Sequence, residues 1–354
     1  MKFIHIADVH LGAKPDVGSE YGEKRSQELW KTFENVLALC EKDQTDLLLI
    51  AGDLFHRQPL LRELKEVDYL FSTLTHTKVL LIAGNHDYLA KNSYYRTFTW
   101  SDNVYPLLGT VLESVYFEEF DTAVYGFSYD RREIFEPRYD QVRAEGKASC
   151  EILLAHGGDE KHIPIRRAAL ERSGFDYIAL GHIHKPSQVI EQKAMYAGAL
   201  EPIDQNDVGP HGLIQGEISE GSVRTRFVPC AKREYMHVDL SMEKNTTLGE
   251  VRAQMRQMIE TYGKENFYRF SLKGYRDADL DIDPTQLLVA GNVLKVVDET
   301  KVALDLERLR VEHGDDLIGR YMGLFDGCVP GSVEEQALYE GVQALLGQNG
   351  TKRG

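Results

Sequence analysis

The sequence predicts a layered α/β sandwich, followed by a small α+β domain and C-terminal helices. Short apolar strands alternate with amphipathic helical segments at the start of the chain, and further strand-sized apolar segments return after residue 110. A chain of 354 residues is also too long for one ordinary hydrophobic core. We therefore expect a sandwich domain at 1–232, an α+β domain at 233–311 and a helical region at 312–354.

The first part begins with a β-α-β-α-β series. Its strands are predicted at 2–8, 46–53 and 78–85, and its helices at 23–42 and 61–74. This order favours a parallel sheet that is buried on both faces. The remaining segments are a hairpin at 114–130, buried strands at 150–157 and 176–182, and a run of short strands at 194–200, 212–218 and 222–230.

The pattern of predicted elements changes near residue 231. The predicted α+β elements are strand 236–240, helix 247–263 and strands 266–274 and 292–298, with an acidic solvated loop at 276–284. Helices are then predicted at 315–325 and 332–348, and Ser332 and Glu335 have the spacing of a capping box. The second helix carries one apolar stripe of Leu338, Val342, Leu345 and Leu346. The last residues, 347–354, are predicted to be disordered.

Composition limits the function. The formal net charge is −15, from 41 basic and 56 acidic side chains, which excludes a broad basic face that coats nucleic acid. It does not exclude a site that holds phosphate through metal ions, because their charge is not counted. No apolar run has the length of a membrane span, and no signal-like segment opens the chain, so we expect a cytoplasmic protein. The four scattered cysteines predict reduced thiols.

Polar residues suited to metal binding follow each predicted strand of the first domain. The fragments are "ADVH" (Asp8, His10), "GDLFH" (Asp53, His56), "GNHD" (Asn85, His86, Asp87), "AHG" (His156) and "GHIH" (His182, His184). Each fragment alone is weak, since a lone His156 is more often a hydrogen-bonded core residue and Asp87 more often forms a turn. Ligands gathered at strand ends of an α/β sheet nevertheless predict a site there.

The order and wording of these fragments resemble the calcineurin-like metallophosphoesterases, whose signature runs DxH, GD, GNH[DE], an isolated H and GHxH. The resemblance covers about residues 1–230 and implies an αββα sandwich. It also implies the ligands of two metal ions. One ion would be held by Asp8, His10, Asp53 and His184, and the other by Asp53, Asn85, His156 and His182.

The chemistry of this ligand set suits phosphate. Two divalent ions bring four positive charges, whereas Asp8 and Asp53 supply two negative ones. The remaining positive charge attracts a phosphodiester oxygen and stabilises an in-line displacement. Mixed imidazole and carboxylate ligands suit manganese, iron or zinc better than magnesium or calcium. The resemblance favours Mn²⁺.

Two further histidines are candidates for catalysis. The resemblance implies that His86 faces the phosphate and protonates the leaving oxygen as a general acid. The alternative is a hydrogen bond that supports a ligand. The resemblance places His56 near the phosphate, where it helps to orient a DNA backbone. The alternative is that His56 caps the helix that follows it.

The opening "MKFIHIADVHLG" and the segment "AGDLFHRQP" resemble SbcD/YhaO-type DNA repair exonucleases. These are the nuclease subunits of complexes with an SMC-like (SbcC/YhaN-type) coiled-coil ATPase. The resemblance implies hydrolysis of DNA in double-strand break or end processing, a homodimer, and a role for 233–311 as a capping domain that selects DNA ends. The segment "YAGALEPIDQNDVGPHG" fits less well, because Ala199 stands where serine is usual.

Several questions stay open at this level. Lys14, Arg57, Arg96 and Lys185 are candidate contacts to a DNA backbone, although exposed cations are more often simply solvated. The terminal helices either pack on the cap or dock on the ATPase. A phosphodiesterase or phosphatase acting on a small nucleotide or a phosphoprotein is the competing enzyme. A non-catalytic scaffold is disfavoured, because every ligand position is filled.

Overall fold

The predicted sandwich is present in the computed structural model, which describes residues 1–18, 21–219, 221–290, 292–329 and 332–350. The chain divides into two compact units between Met236 and His237. Among the described helices, none combines the length and the apolar character that crossing a membrane requires.

The elements follow one another in a mixed α/β order. The strands of the first unit are β1 (Lys2–Ile6), β2 (Leu47–Ala51), β3 (Lys78–Ile82), β4 (Val104–Pro106), β5 (Glu113–Phe117), β6 (Thr122–Gly126), β7 (Cys150–His156), β8 (Tyr177–Gly181), β9 (Ser187–Ile190), β10 (Ala194–Tyr196), β11 (Gly212–Ser219) and β12 (Ser222–Pro229). Its helices are α1 (Gly22–Asp43), α2 (Leu61–Ser72) and α3 (Arg167–Glu171).

These strands form two six-stranded sheets. The first has the order β12-β11-β1-β2-β3-β4, in which β1 to β4 run parallel. α1 and α2 return the chain between β1, β2 and β3. The second has the order β5-β6-β7-β8-β10-β9, with β6, β7, β8 and β10 parallel. The parallel strands of each sheet therefore deliver their carboxyl ends to a common edge.

Alternation along the buried strands creates three hydrophobic layers. Leu47 and Leu49 of β2 join the core between the sheets, where they meet Leu154 of β7. Leu48 and Ile50 face the opposite side and pack beneath α1 and α2. Burying such a side chain contributes about 1.5–3 kcal/mol, so a charge in either row would be strongly destabilising.

The outer face of the second sheet is covered as well. Leu153 and Leu180 pack there with Leu170 of α3. Helices thus cover the outer face of each sheet, in the order α-β-β-α. The predicted fold class is confirmed.

The run of short strands predicted after residue 190 is present, but its members belong to different sheets. β10 pairs in parallel with β8 in the second sheet, whereas β11 pairs antiparallel with β1 in the first. Local pattern cannot distinguish these partners, because both strands present buried apolar residues. The short elements β4, β9 and α3 were not predicted, since three to five residues carry too little periodicity.

The second unit is built around a small sheet. Its elements are β13 (Tyr235–Met242), α4 (Leu248–Tyr262), β14 (Phe267–Arg276), β15 (Val293–Asp298), β16 (Lys301–Val302), α5 (Leu306–His313), α6 (Leu317–Gly323) and α7 (Val333–Gly350). β14 is central and pairs with β13 and, in parallel, with β15 and β16. Thr247 caps α4 by accepting a bond from the amide of Glu250, as the capping-box pattern requires.

The C-terminal helices begin earlier than predicted. α5 starts at Leu306, where Asp305 caps the helix, so helical structure begins before residue 312. α6 and α7 pack on each other through Ile318, Met322, Leu338 and Val342. α7 reaches Gly350, beyond the predicted end at 348. The predicted terminal disorder otherwise falls on 351–354, outside the described residues.

Candidate metal centre

The polar fragments after five parallel strands meet at one edge of the sandwich. Asp8 and His10 follow β1, Asp53 follows β2, and Asn85 and His86 follow β3. From the second sheet, β7 ends at His156, and His182 and His184 follow β8. Within this set, Asp8, His10, Asp53, Asn85 and His156 are buried, whereas His86, His182 and His184 are partly exposed.

Strained backbone directs several of these side chains. Asp8, His10 and Asp53 adopt φ angles of 50°, 50° and 52°, and His182 adopts 97°. Such left-handed conformations are uncommon outside glycine and concentrate at functional sites. The loops after β1 and β2 hold each other in place, because the amide of His10 donates to the carbonyl of Asp53 at 3.0 Å.

Close packing at the centre requires two glycines. A Cβ atom on Gly52 would lie 2.4 Å from Nδ1 of His156, and one on Gly84 would lie 2.3 Å from Oδ1 of Asp53. The glycines of "AGD" and "GNH" therefore let the strand ends approach each other.

One group of donor atoms forms around His10. Asp8, His10 and His184 offer ligand atoms that all lie within 4.8 Å of one another. Nε2 of His10 lies 3.2 Å from Nε2 of His184 and 3.9 Å from Oδ2 of Asp53. These are the four side chains that the resemblance assigned to one ion.

A second group forms around Asn85. Its Oδ1 lies 2.9 Å from Nε2 of His156 and 3.0 Å from Nδ1 of His182. Oδ2 of Asp53 lies 3.4 Å from Nε2 of His156. Asp53 is therefore adjacent to both groups, through His10 on one side and His156 on the other.

The outer ring nitrogens of three histidines are occupied, which leaves the inner ones for the site. His156 donates from Nδ1 to the carbonyl of Ala51 at 2.8 Å. Nε2 of His182 lies 2.8 Å from Oδ2 of Asp159, and Nδ1 of His184 lies 3.1 Å from Oδ2 of Asp207. Such partners fix the tautomer and orientation of metal-binding histidines.

The electrostatics favour a cation here. Burial opposes charge on His156, but the carboxylate of Asp53 outweighs it and raises the pKa of His156 to about 9. Burial likewise opposes charge on His184, whose pKa rises to about 9 through its bond to Asp207. Burial alone would raise the pKa of Asp53, yet His156 holds it well below its ordinary value. Nitrogen and oxygen donors around a shared carboxylate thus fit divalent cations.

Three carboxylates support this site, and sequence reasoning missed two of them, Asp159 and Asp207. Asp159 and Asp207 lie in irregular loops, and no local signal marks them as partners of His182 and His184. Asp87 was predicted as part of the "GNHD" fragment, with turn formation as the alternative, and it is fully buried. It accepts bonds from the amides of Gly84 at 2.8 Å and Phe55 at 3.2 Å, and the hydroxyl of Tyr95 donates to it at 3.0 Å. The sequence signal for Asp87 was its position at the end of the GNH[DE] motif.

The two candidate catalytic histidines are adjacent. Their rings stack with centroids 5.0 Å apart, and Nδ1 of His86 lies 2.9 Å from the carbonyl oxygen of His56. The amide of His86 donates to Oδ1 of Asp53 at 2.8 Å. The helix-capping alternative for His56 is wrong, because α2 has Leu60 at its N-cap position.

The four cations predicted to contact DNA differ from one another. Lys14 and Lys185 are exposed. Arg57 instead forms a two-bond ion pair with Glu63, at 2.7 and 3.1 Å. Arg96 donates to the carbonyls of Leu89 at 2.7 Å and Ala90 at 3.0 Å. The guanidinium groups of both arginines are therefore engaged within the protein, which the sequence did not indicate.

Comparison with known proteins defines the class. The calcineurin-like phosphoesterase family matches residues 1–186, just over half of the chain, and the protein belongs to this family. Members of this family are phosphoesterases that bind divalent metals, and the resemblance stated above is confirmed.

Two relatives narrow the comparison. The chain is 27% identical over 271 residues to the uncharacterized metallophosphoesterase YhaO of Bacillus subtilis. The aligned region covers 70% of this chain and 65% of that protein. It is 29% identical over 243 residues to the DNA double-strand break repair protein Mre11 of Aeropyrum pernix. That aligned region covers 60% of this chain and 56% of the relative. The chain thus spans less than two thirds of the length of each relative.

Proposed function

We propose that the protein is a two-metal phosphodiesterase that hydrolyses DNA during the processing of DNA ends. The observation that carries this proposal is the pair of donor groups that share Asp53, with His86 beside them. Similarity to a protein named for DNA double-strand break repair supports DNA as the substrate.

The ligand roles follow the two groups. Asp8, His10, Asp53 and His184 would hold one ion, and Asp53, Asn85, His156 and His182 the other. When bound, the ions supply positive charge for the phosphate and a more acidic water for attack. We propose Mn²⁺ on the family resemblance. Mixed imidazole and carboxylate ligands suit manganese, iron or zinc better than magnesium or calcium.

His86 is the proposed general acid. Its Nδ1 is tied to the carbonyl of His56, so Nε2 remains for the substrate. His86 also lines an open cleft of about 390 Å³ together with His56 and Asn85. Nδ1 keeps its proton toward the carbonyl of His56, so His86 acts as an acid when both ring nitrogens are protonated. The Nε2 proton then passes to the leaving oxygen, while the stacked ring of His56 keeps the imidazole in place.

One assay separates DNA from the competing substrates. The purified protein, loaded with Mn²⁺, is supplied in parallel with linear DNA, a cyclic nucleotide and a phosphopeptide. We expect cleavage of the DNA, and loss of that cleavage in Asp53→Asn, because Asp53 serves both proposed metal sites. Hydrolysis of the cyclic nucleotide or the phosphopeptide alone would reject DNA as the substrate.

The second unit is proposed as a cap that selects DNA ends, and the terminal helices as the docking site for an SMC-like coiled-coil ATPase. The stripe of Leu338 and Val342 is already buried against α6, so it is not the docking surface. Exposed apolar side chains remain on the same helices and their connections, namely Val311, Leu317, Leu324, Val329 and Val333. Such a set suits burial in a partner groove.

A further inference from the structure

A loop of the second sheet contributes an arginine to the catalytic cleft. Arg132, between β6 and β7, lines the same cleft of about 390 Å³ as His56, Asn85 and His86. Among the proposed metal ligands, only Asn85 lines this cleft. Arg132 therefore shares a cleft with the proposed general acid His86 and with one proposed metal ligand, Asn85.

The loop that carries Arg132 is fixed at both ends. On one side, the amide of Tyr129 donates to the carbonyl of Ala83 at 3.1 Å, and the amide of Leu89 donates to the carbonyl of Tyr129 at 2.8 Å. On the other side, Ile134 is fully buried and its amide donates to the carbonyl of Lys161 at 2.8 Å. Arg132 thus reaches the cleft from an ordered backbone rather than from a loose tip.

Arg132 also differs from the neighbouring cations in its partners. Arg131 pairs with Glu136 at 3.1 Å, and Arg138 pairs with Asp130 at 3.8 Å. Arg57, in the same cleft, is neutralised by Glu63. Arg132 is exposed and forms no hydrogen bond or ion pair with any of the residues that the structure describes. Its guanidinium remains available for a ligand.

We propose that Arg132 binds a phosphate of the DNA backbone next to the one that is cleaved. This inference rests on the proposed function. A guanidinium matches two phosphate oxygens at once, which a single metal contact does not provide. The protein has a net charge of −15, so an unpaired cation in the cleft should contribute a larger share of the DNA affinity than it would on a basic surface.

Kinetics on two substrates test this role. Arg132→Ala is compared with Arg131→Ala, a matched control whose arginine lies next in the chain but is ion-paired. The substrates are a labelled DNA oligonucleotide and bis(p-nitrophenyl) phosphate, a diester with a single phosphate. We expect Arg132→Ala to raise KM for DNA about tenfold and to reduce the salt dependence of DNA binding by about one phosphate contact. Hydrolysis of the small diester should not change.

The control and the conservative variant sharpen the result. Arg131→Ala should match the wild type on both substrates. Arg132→Lys should retain part of the DNA affinity, because lysine keeps the positive charge but cannot donate two parallel hydrogen bonds to one phosphate. Unchanged DNA kinetics in Arg132→Ala, or equal losses on both substrates, would overturn the inference while the proposed function stands. A wild-type protein that hydrolyses only the small diester would overturn both.

Discussion

Oδ2 of Asp207 lies 3.1 Å from Nδ1 of His184. The neighbouring His182 is held through its other nitrogen, because Nε2 contacts Asp159 at 2.8 Å and Nδ1 faces Asn85. The two histidines of "GHIH" therefore direct opposite ring nitrogens into the site. This explains how a pair separated by one residue can contribute to two different donor groups.

Asp207 should control metal affinity on one side of the site. Asp207→Asn keeps an acceptor oxygen for His184 but removes the negative charge, so we expect affinity for one of two Mn²⁺ ions to fall about tenfold. Calorimetric titration with Mn²⁺ measures both affinities. Asp204→Asn, in the same loop, is the control and should leave both unchanged. Equal affinities in Asp207→Asn and wild type would contradict the role.

His86 should serve turnover rather than metal binding. In His86→Ala we expect both ions to remain, while the rate of DNA cleavage falls by a factor of about 10²–10⁴ through loss of the general acid. Elemental analysis and a cleavage assay on the same sample decide the matter. His76→Ala removes an exposed histidine that contacts Asp46 and should behave as wild type. A fall in metal content along with activity would show that the assignment is wrong.

Asp87 should stabilise the loops that carry the site. Asp87→Ala leaves two amides and the Tyr95 hydroxyl without their acceptor, so the free energy of unfolding should drop by about 3 kcal/mol or more. Tyr95→Phe removes only one of these bonds and should cost about 1 kcal/mol. Urea denaturation in the presence of a metal chelator compares the two variants. A loss in Asp87→Ala no larger than the loss in Tyr95→Phe would contradict this role.

His5 should make the fold sensitive to acid. It is buried between the sheets, with Nδ1 2.9 Å from the hydroxyl of Tyr177, and burial lowers its pKa from 6.5 to about 3. Below pH 6.5 the unfolded chain binds a proton that the folded protein rejects. Stability is therefore lost as the pH falls from 6.5 toward 3, by about 1.4 kcal/mol per pH unit.

The variant His5→Gln isolates this effect, because glutamine keeps a polar group near Tyr177 but does not titrate. Urea denaturation at several pH values should show the wild type losing stability relative to His5→Gln as the pH falls below 6.5. All other titrating groups are shared by the two proteins and cancel in the difference. Parallel stability curves would exclude His5 as the source of acid sensitivity.

The exposed apolar side chains of the C-terminal helices should bind the ATPase. Removing residues 312–354 would cut through the helical core, which also includes Leu304, Leu306 and Leu309, so substitutions are the sharper test. We expect Leu317→Glu with Leu324→Glu to abolish binding to a purified SMC-like ATPase and to leave DNA cleavage intact. Tyr262→Glu, at another exposed apolar position of the second unit, is the control. Undiminished binding would place the docking surface elsewhere.

The sequence by itself determined the fold class and the gathering of Asp8, Asp53, Asn85, His156 and His182. Buried parallel strands can be recognised in a sequence as continuous apolar runs, and the parallel order brings their carboxyl ends to one edge of the sheet. Residues directly after the strands of one sheet therefore lie at one edge, and the family motif indicated that the edges of the two sheets share one site. The two sheets of the first unit could be predicted for the same reason, except where strands were too short to show a pattern.

Only the tertiary structure decided which ring nitrogen faces the site, which cations are free and which carboxylates support the histidines. Asp207 contacts His184 across 23 residues of chain, and Glu63 balances the charge of Arg57, whereas Arg132 has no ion-pair partner among the described residues. These contacts depend on where irregular loops lie in space, and no periodicity in the chain encodes that position. A strand end is fixed by hydrogen bonding along the sheet, whereas a loop side chain is fixed only by the neighbours that folding brings to it.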